Sequence, residues 1–358
     1  MKVLITGANG FVGSALMRAF RESGANLDLI GIDNLSRPGS EMNREEWRKL
    51  GVRVVHGDVR AQSDVDALPA VDWVVDAAAN PSVLAGLNAQ STPRQVIEHN
   101  LLGTINLLEF CRHHRAGFLL LSTSRVYSIE ALASLPLVQT GNAFGLRADA
   151  PLPAGAGVDG ISETFPTAAP ISLYGATKLA SETLALEYGA SLDLPVWINR
   201  CGLLAGAGQF GRPDQGILAY WLNAYLRRAP LKYLGFGGNG AQVRDALHPR
   251  DLAALVLKQL AAGPVPGRPR LANVSGGAAS AFSLAQITGW CGERFGFQHP
   301  VGSEAEVRAA DIPWLILNSA RARQDWAWHP NVLLPEILHE IAIHAELHPG
   351  WLELSAIG

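Results

Sequence analysis

Cysteine is scarce and scattered: Cys111, Cys201 and Cys291 are the only three in 358 residues. An odd number of widely spaced thiols argues against a disulfide framework and fits a reducing cytoplasm. Long apolar runs are missing too. No stretch approaches the ~20 apolar residues that a membrane span needs. The chain opens on a strand-like segment rather than a charged leader, so neither a signal peptide nor a membrane partner is expected. Excess charge of one sign is also absent. With 29 basic and 32 acidic residues the net charge is -3, which gives no reason to expect nucleic acid as a partner. The pair His113-His114 ends a polar helix tail, where cations are favoured, and no metal site is expected. Internal repeats and low-complexity tracts are lacking. What remains, 48% hydrophobic and 17% charged residues, describes a soluble globular chain with a large core.

Met1 to Thr6 reads as a short buried strand, and Gly7-Ala8-Asn9-Gly10-Phe11-Val12-Gly13 as the turn after it. Ser14 to Ser23 reads as a helix that Gly24 ends. Strand, glycine-rich turn and helix together form the context of a dinucleotide-binding turn. Glycine lets the backbone approach a pyrophosphate closely, and the helix N-terminus offers free N–H groups to the phosphates. A second strand, 27–33, ends on Asp33-Asn34, and a carboxylate there suits the hydroxyls of an adenosine ribose. It would repel a 2′-phosphate, so NAD is expected rather than NADP, although Arg37 nearby runs the other way. A third strand, 52–58, ends on Asp58, which with Val59 sits where an adenine would lie. A fourth, 71–79, runs into Ala77, Ala78 and Ala79, small residues that permit close approach of a cofactor. The apolar residues Ile97, Leu101, Ile105 and Leu108 have helical spacing within 92–113. A fifth strand, 117–123, follows. This alternation predicts an α/β fold with a parallel sheet and ligands at the strand carboxyl ends.

Two further segments carry chemistry. Ser122-Thr123-Ser124-Arg125-Val126-Tyr127 ends the fifth strand, and Tyr174-Gly175-Ala176-Thr177-Lys178 opens a helix running to Tyr188. Tyr174 and Lys178, at i and i+4, share one helix face. A phenol of pKa about 10 is a poor base at neutral pH, and a neighbouring ammonium and a cationic nicotinamide would favour the phenolate. Tyr174 could then take a proton from a substrate hydroxyl held by Thr123 while hydride leaves the same carbon. Y-x-x-x-K alone is common. It gains weight here from following a nucleotide turn, a ribose acid and a Ser-Thr segment in that order.

The chain resembles the extended short-chain dehydrogenases/reductases of the nucleotide-sugar epimerase and dehydratase kind. The motifs that carry the resemblance are G7-A-N-G-F-V-G13, D33, D58, N100-L-L-G-T-I-N106, S122-T-S-R-V-Y127, Y174-G-A-T-K178, R244-D245 and R308-A-A-D311. It implies a Rossmann-type doubly wound sheet with a smaller C-terminal substrate lobe. The NAD domain is expected over 1–199 with 226–262, and the nucleotide-sugar lobe over 200–225 with 263–358. It implies Thr123, Tyr174 and Lys178 as catalytic residues, and adds Asn9, Asn100, Ser122 and Arg200 to the NAD site. Arg244 and Arg308 would grip a pyrophosphate, with Arg125, Gln209 and Gln215 nearby on the substrate.

Departures from the family pattern narrow the activity. Dehydratases that resemble this chain carry Asp-Glu after the Thr, and the related decarboxylases carry Glu at the second of those positions. Ser124 and Arg125 stand there instead, which leaves epimerisation. Tyr127 and Tyr174 lie 47 positions apart, and the 128–170 insertion is similar to that of CDP-tyvelose (CDP-paratose) 2-epimerases. So are D33-N-L-S-R37, Q209-F210 with D214-Q-G216, and the stretch 240–248. The best reading is a CDP-3,6-dideoxyhexose 2-epimerase. The alternatives are a UDP-hexose or UDP-hexuronate 4-epimerase, a net nucleotide-sugar oxidoreductase, and an NAD-sensing binding module. The insertion reads as a loop beside the site on which the sugar's identity depends. Ala310 stands where relatives usually have Gly. The resemblance also implies a homodimer or homotetramer built on the helices 92–113 and 178–188. The tryptophans between 314 and 328 read as packing of the C-terminal lobe.

Overall fold

The computed structural model describes residues 1–87 and 91–356. Five strands come first: β1 (Lys2–Thr6), β2 (Asp28–Asp33), β3 (Arg53–His56), β4 (Trp73–Asp76) and β5 (Gly117–Thr123). The insertion adds two hairpins, β6 (Leu137–Thr140) with β7 (Ala143–Leu146) and β8 (Ala156–Gly157) with β9 (Gly160–Ile161). Then follow β10 (Val196–Cys201), β11 (Leu203–Leu204), β12 (Leu231–Leu234), β13 (Val243–Leu247), β14 (Leu271–Val274), β15 (Ala281–Ser283), β16 (Val301–Glu304) and β17 (Trp314–Leu315). Seven of these form a parallel sheet in the order β14-β10-β5-β4-β1-β2-β3. The order reverses direction beside β1, which leaves a crevice at the carboxyl ends where ligands bind in such sheets.

Side-chain alternation along the central strands explains why both sheet faces are covered. Val3, Ile5, Val75, Leu119 and Leu121 enter one core, packed with Leu16, Met17 and Phe20 of helix Phe11–Glu22 and Leu252, Leu255 and Val256 of helix Pro249–Ala262. Leu4, Val74, Phe118 and Leu120 enter the other, with Leu107, Leu108 and Cys111 of helix Gly103–His114 and Ala185 of helix Ser172–Ser191. Strands buried on both faces read as continuous apolar runs, which is how they were legible. The predicted helix 92–113 forms in three pieces: an α-turn Pro93–Ile97, a π-helical stretch Glu98–Leu102 and helix Gly103–His114.

The smaller lobe is built from β11, β13, β15 and β17, the pair β12–β16, and the helices Ile217–Leu226, Leu284–Phe295 and Leu334–Leu347. Here the structure corrects the sequence reading in three ways. First, β12 and β13, expected in the NAD domain, belong to the small lobe, whereas β14, expected in the small lobe, is an edge strand of the large sheet. The small lobe's strands are two to five residues long and carry no pattern that assigns them to a sheet. Second, Trp326 and Trp328 pack in the core of the large sheet, Trp326 edge-on to Trp197 at 4.9 Å, while Trp314 is buried in a separate cluster.

Third, the insertion is ordered structure and lies off the cleft. It forms a short helix, Ile129–Ala133, and the two hairpins. Phe144 N–H donates to the Ala241 carbonyl (2.9 Å). Ser283 Oγ donates to the Asn142 carbonyl (2.6 Å) and Asn273 Nδ2 to the Ile161 carbonyl (2.8 Å). None of the described residues that line the cleft falls between 128 and 170. Among the described residues, no helix is long and apolar enough to cross a membrane.

Candidate active site

The turn after β1 is shaped by close approach. Gly7 has φ 61°, and Gly10 N–H closes on its carbonyl at 3.0 Å. A Cβ on Gly13 would lie 2.2 Å from the same carbonyl oxygen, so only glycine seats the helix this near the strand. Helix Phe11–Glu22 then starts from an extended Gly10, with no side-chain cap and no acid in its first turn. Its first N–H groups have no intrahelical acceptor and are open to an anion. At the end of β2, Asp33 accepts from Asn9 N–H (2.8 Å) and Leu35 N–H (2.7 Å), which fixes both carboxylate oxygens at the cleft. Partial burial works against ionisation of Asp58. Hydrogen bonds from Arg60 and Asn34 outweigh it and hold the carboxyl well below the usual range. A backbone cradle, a fixed carboxylate and the small Ala77, Ala78 and Ala79 fit a dinucleotide.

Thr6 Oγ1 accepts from Ala77 and Ala78 N–H and donates to Asp76 Oδ1 (2.7 Å), while Thr104 holds the other oxygen of Asp76 (3.1 Å). This buried carboxylate, which the sequence reading missed, provides the largest charge favouring the Lys178 ammonium. Burial nevertheless draws that ammonium below its usual pKa. The Tyr174 helix sits directly on the turn that follows β5. A Cβ on Gly175 would lie 2.3 Å from the Arg125 carbonyl oxygen. Tyr174 hydrogen-bonds Thr123 and faces Arg125; burial dominates and pushes its phenol up to about 12. The expectation that Lys178 lowers this pKa therefore needs correction. Among the protein's own cations, Arg125 is the one that bears on the phenol. The charge of Lys178 is answered by Asp76 and Glu182.

Across the cleft, three guanidinium groups gather about one carboxylate. Arg244 donates to the Val243 and Ile312 carbonyls (2.7 Å each) and lies 3.3 Å from Asp311 Oδ1. Arg308 lies 3.7 Å from Asp311 Oδ2. Arg125 donates to the Ala310 carbonyl at 2.8 Å, and burial lowers its pKa to about 10. Ala310 itself has φ 60°, a conformation that favours glycine, and the Arg125 bond holds it there. Three cations against Asp311 and the more distant Asp245 leave an excess of positive charge suited to a diphosphate.

One cavity of about 650 Å³ joins these parts, within the range of ligand pockets. Every sequence-predicted site residue lines it except three. Asn9 is buried behind the glycine turn. Asn100 bonds Asn80 and Thr177, tying the loop after β4 to the second turn of the Tyr174 helix. Arg200 forms a buried bidentate pair with Glu182, which also accepts from Ser122 Oγ (2.5 Å). These three side chains lie behind the cavity wall. Cys201, Trp221, Lys232, Gln242 and Phe282 line the cavity without having been singled out as ligands. Their segments are short and carry no spacing that marks a site. Among the described residues, no cluster of three or more His, Cys, Asp or Glu is placed to hold a metal ion.

An α/β sheet with a dinucleotide cradle, a Tyr-Lys pair and an opposing arginine-rich lobe defines a nucleotide-dependent enzyme of two-ligand type. The chain belongs to the NAD-dependent epimerase/dehydratase family, whose model matches residues 3–274, and it is an enzyme that uses NAD. CDP-paratose 2-epimerase of Salmonella typhi is 31% identical over 296 residues, covering 80% of this chain and 82% of that protein. UDP-glucose 4-epimerase of Corynebacterium glutamicum is 27% identical over 342 residues, covering 92% and 91%. The crystal structure of Thermus thermophilus UDP-glucose 4-epimerase with NAD matches at a TM-score of 0.74 and 24% identity, covering 97% of this chain and 99% of that one. Similarity at that identity speaks for the fold alone.

Proposed function

We propose that the protein epimerises a nucleotide-activated sugar through a transient keto-sugar, with a CDP-3,6-dideoxyhexose inverted at C2 as the best substrate reading. One observation carries the proposal: Thr123, Tyr174, Lys178, the 7–13 turn and Arg125, Arg244 and Arg308 all line a single cavity. NAD, when bound, supplies a hydride acceptor for the first half of the reaction and returns the hydride in the second. The chain's own residues do the rest. Thr123 orients the reacting hydroxyl. Tyr174, once ionised, accepts its proton at the phenolate oxygen and gives it back to the returning alkoxide. Lys178, backed by Asp76, places a positive charge in the cavity wall. Arg244 and Arg308 fix the diphosphate, so the keto-sugar can present its other face without leaving. The absence of an acid at 124 and 125 leaves no group to expel a second hydroxyl.

The CDP-sugar reading is supported by the 31% identity to CDP-paratose 2-epimerase. UDP-hexose or UDP-hexuronate 4-epimerisation is the second reading, supported by the wider coverage of the UDP-glucose 4-epimerase relative. A panel of CDP-, UDP- and GDP-sugars followed by ¹H NMR separates them. Interconversion without net change in NADH is expected, and stoichiometric NADH formation would overturn epimerisation. A cytoplasmic location is supported by three buried, unpaired thiols. Self-association as a homodimer or homotetramer is supported by helices Gly103–His114 and Ser172–Ser191, which pack together on one sheet face near the exposed Ile97 and Leu102.

A further inference from the structure

Between β11 and helix Ile217–Leu226 the chain leaves the small lobe and crosses the cleft mouth. A tight turn closes it, with Arg212 N–H donating to the Gln215 carbonyl (2.6 Å) and Gln215 N–H to the Arg212 carbonyl (3.1 Å). On the far side it meets the loop after β2. The Arg37 guanidinium donates to Gln215 Oε1 (2.6 Å) and to the Phe210 carbonyl. Ser82, on the loop after β4, donates to Asp214 Oδ2 (2.6 Å). The Phe210 ring lies against Gly39, where a Cβ would come within 2.8 Å of it, and stacks on Trp351 at 5.3 Å and 14°. Trp351 in turn donates to the Gln209 carbonyl (2.8 Å). Segment 209–216 is thus fastened to two loops of the NAD lobe and backed by the C-terminal helix. It walls the cavity opposite Asp33, Asn34 and Ser36.

We propose that residues 209–216 form a strap, latched by Arg37 and Ser82 across the Asp33 end of the cleft, that keeps the dinucleotide in place between turnovers. The inference rests on the reading of 7–13 and Asp33 as the NAD site. It gives Arg37 a role other than contact with a 2′-phosphate: its Nη1 and Nη2 groups donate to Gln215 Oε1 and the Phe210 carbonyl. A latch gates passage in both directions, so breaking it speeds entry and exit together. A residue that only gripped the cofactor would change exit alone.

The test uses full-length protein purified without added nucleotide. Bound NAD is released with acid and quantified, exchange is followed with isotopically labelled NAD, and entry is timed on stripped protein. The wild type is expected to hold near one NAD per chain. Arg37→Met and Ser82→Ala are each expected to raise the exchange rate at least tenfold, with a matching rise in the entry rate. Ser82 does not line the cavity, so its variant tests the strap even if Arg37→Met fails to fold. Exchange faster by less than tenfold in Ser82→Ala, or a faster exit with an unchanged entry rate, would overturn the latch while leaving the NAD reading intact. A wild type that neither carries nor takes up NAD would overturn both.

Discussion

Removal of the Tyr174 hydroxyl is the sharpest test of the proposed chemistry. The side chain is buried in the cavity wall, with the phenol beside Thr123 and Arg125 and its pKa pushed up to about 12. At pH 8 a phenol of that pKa is almost wholly protonated, a deficit of several kcal/mol for its use as a base. The bound cofactor and substrate must offset most of that deficit, so the hydroxyl matters in the transition state rather than in the resting fold. General base catalysis is worth roughly 10²–10⁴-fold, or about 2.7–5.4 kcal/mol. Tyr174→Phe keeps the ring and the cavity wall. Thr123 Oγ1 loses one partner but still accepts from Arg125 N–H at 3.1 Å, so the fold should lose only about 1 kcal/mol. The expected result is a kcat lower by 10²–10⁴ with bound NAD and thermal stability nearly unchanged. Sugar epimers would be followed by NMR and NAD by acid release. A variant within tenfold of wild type, still carrying NAD, would show that another group moves the proton.

Three further outcomes follow from the geometry. Gly175→Ala places a Cβ 2.3 Å from the Arg125 carbonyl oxygen, so the Tyr174 helix must shift; kcat should fall at least ~10-fold with the overall fold retained by circular dichroism, and unchanged turnover would contradict the packing. Glu182→Ala strands the buried Arg200 guanidinium and should cost about 3–5 kcal/mol in denaturant unfolding; a loss below ~1 kcal/mol would mean that water or Tyr127 replaces the carboxylate. Asp245 is buried, and burial raises its pKa to about 6 although Gly277 and Leu317 N–H groups donate to it. A raised carboxyl pKa adds stability that is full below the unfolded value near 3.9 and lost as pH rises to about 6. The stability of wild type minus Asp245→Asn should therefore grow as pH falls from 7 to 5, and a difference independent of pH would refute the assignment.

How much could be read without coordinates depended on the range of the physics involved. The strand-turn-helix at 1–23 and the acid at Asp33 were legible because their geometry is local: a glycine spacing, a strand end and a helix start lie within a few residues of one another. Tyr174 and Lys178 were legible as a pair because four residues make one helical turn. Their electrostatic setting was not. Asp76 reaches Lys178 only through the parallel pairing of β4 with β1 and β5, and Arg125 reaches Tyr174 only because the helix start sits on the turn after β5. Arg200 was misplaced for the same reason. It lies at a strand end that belongs to the site, but Glu182 two turns along the Tyr174 helix captures its side chain.

The insertion shows what composition can hide. Residues 128–170 are rich in Ala, Gly and Pro, and they read as a loop governing which sugar fits. They fold instead as a helix and two hairpins that brace the two lobes from outside the cleft. β9 bridges Leu317, and Asn273 on the large sheet binds both the Ile161 carbonyl and, through its Tyr127 bond, the network that holds Arg200 and Glu182 behind Ser122. These contacts tie the insertion to both lobes, and none of its described residues lines the cavity. Arg125, which does line the cavity, spans from the turn after β5 to the Ala310 carbonyl beside both arginines of the opposite lobe.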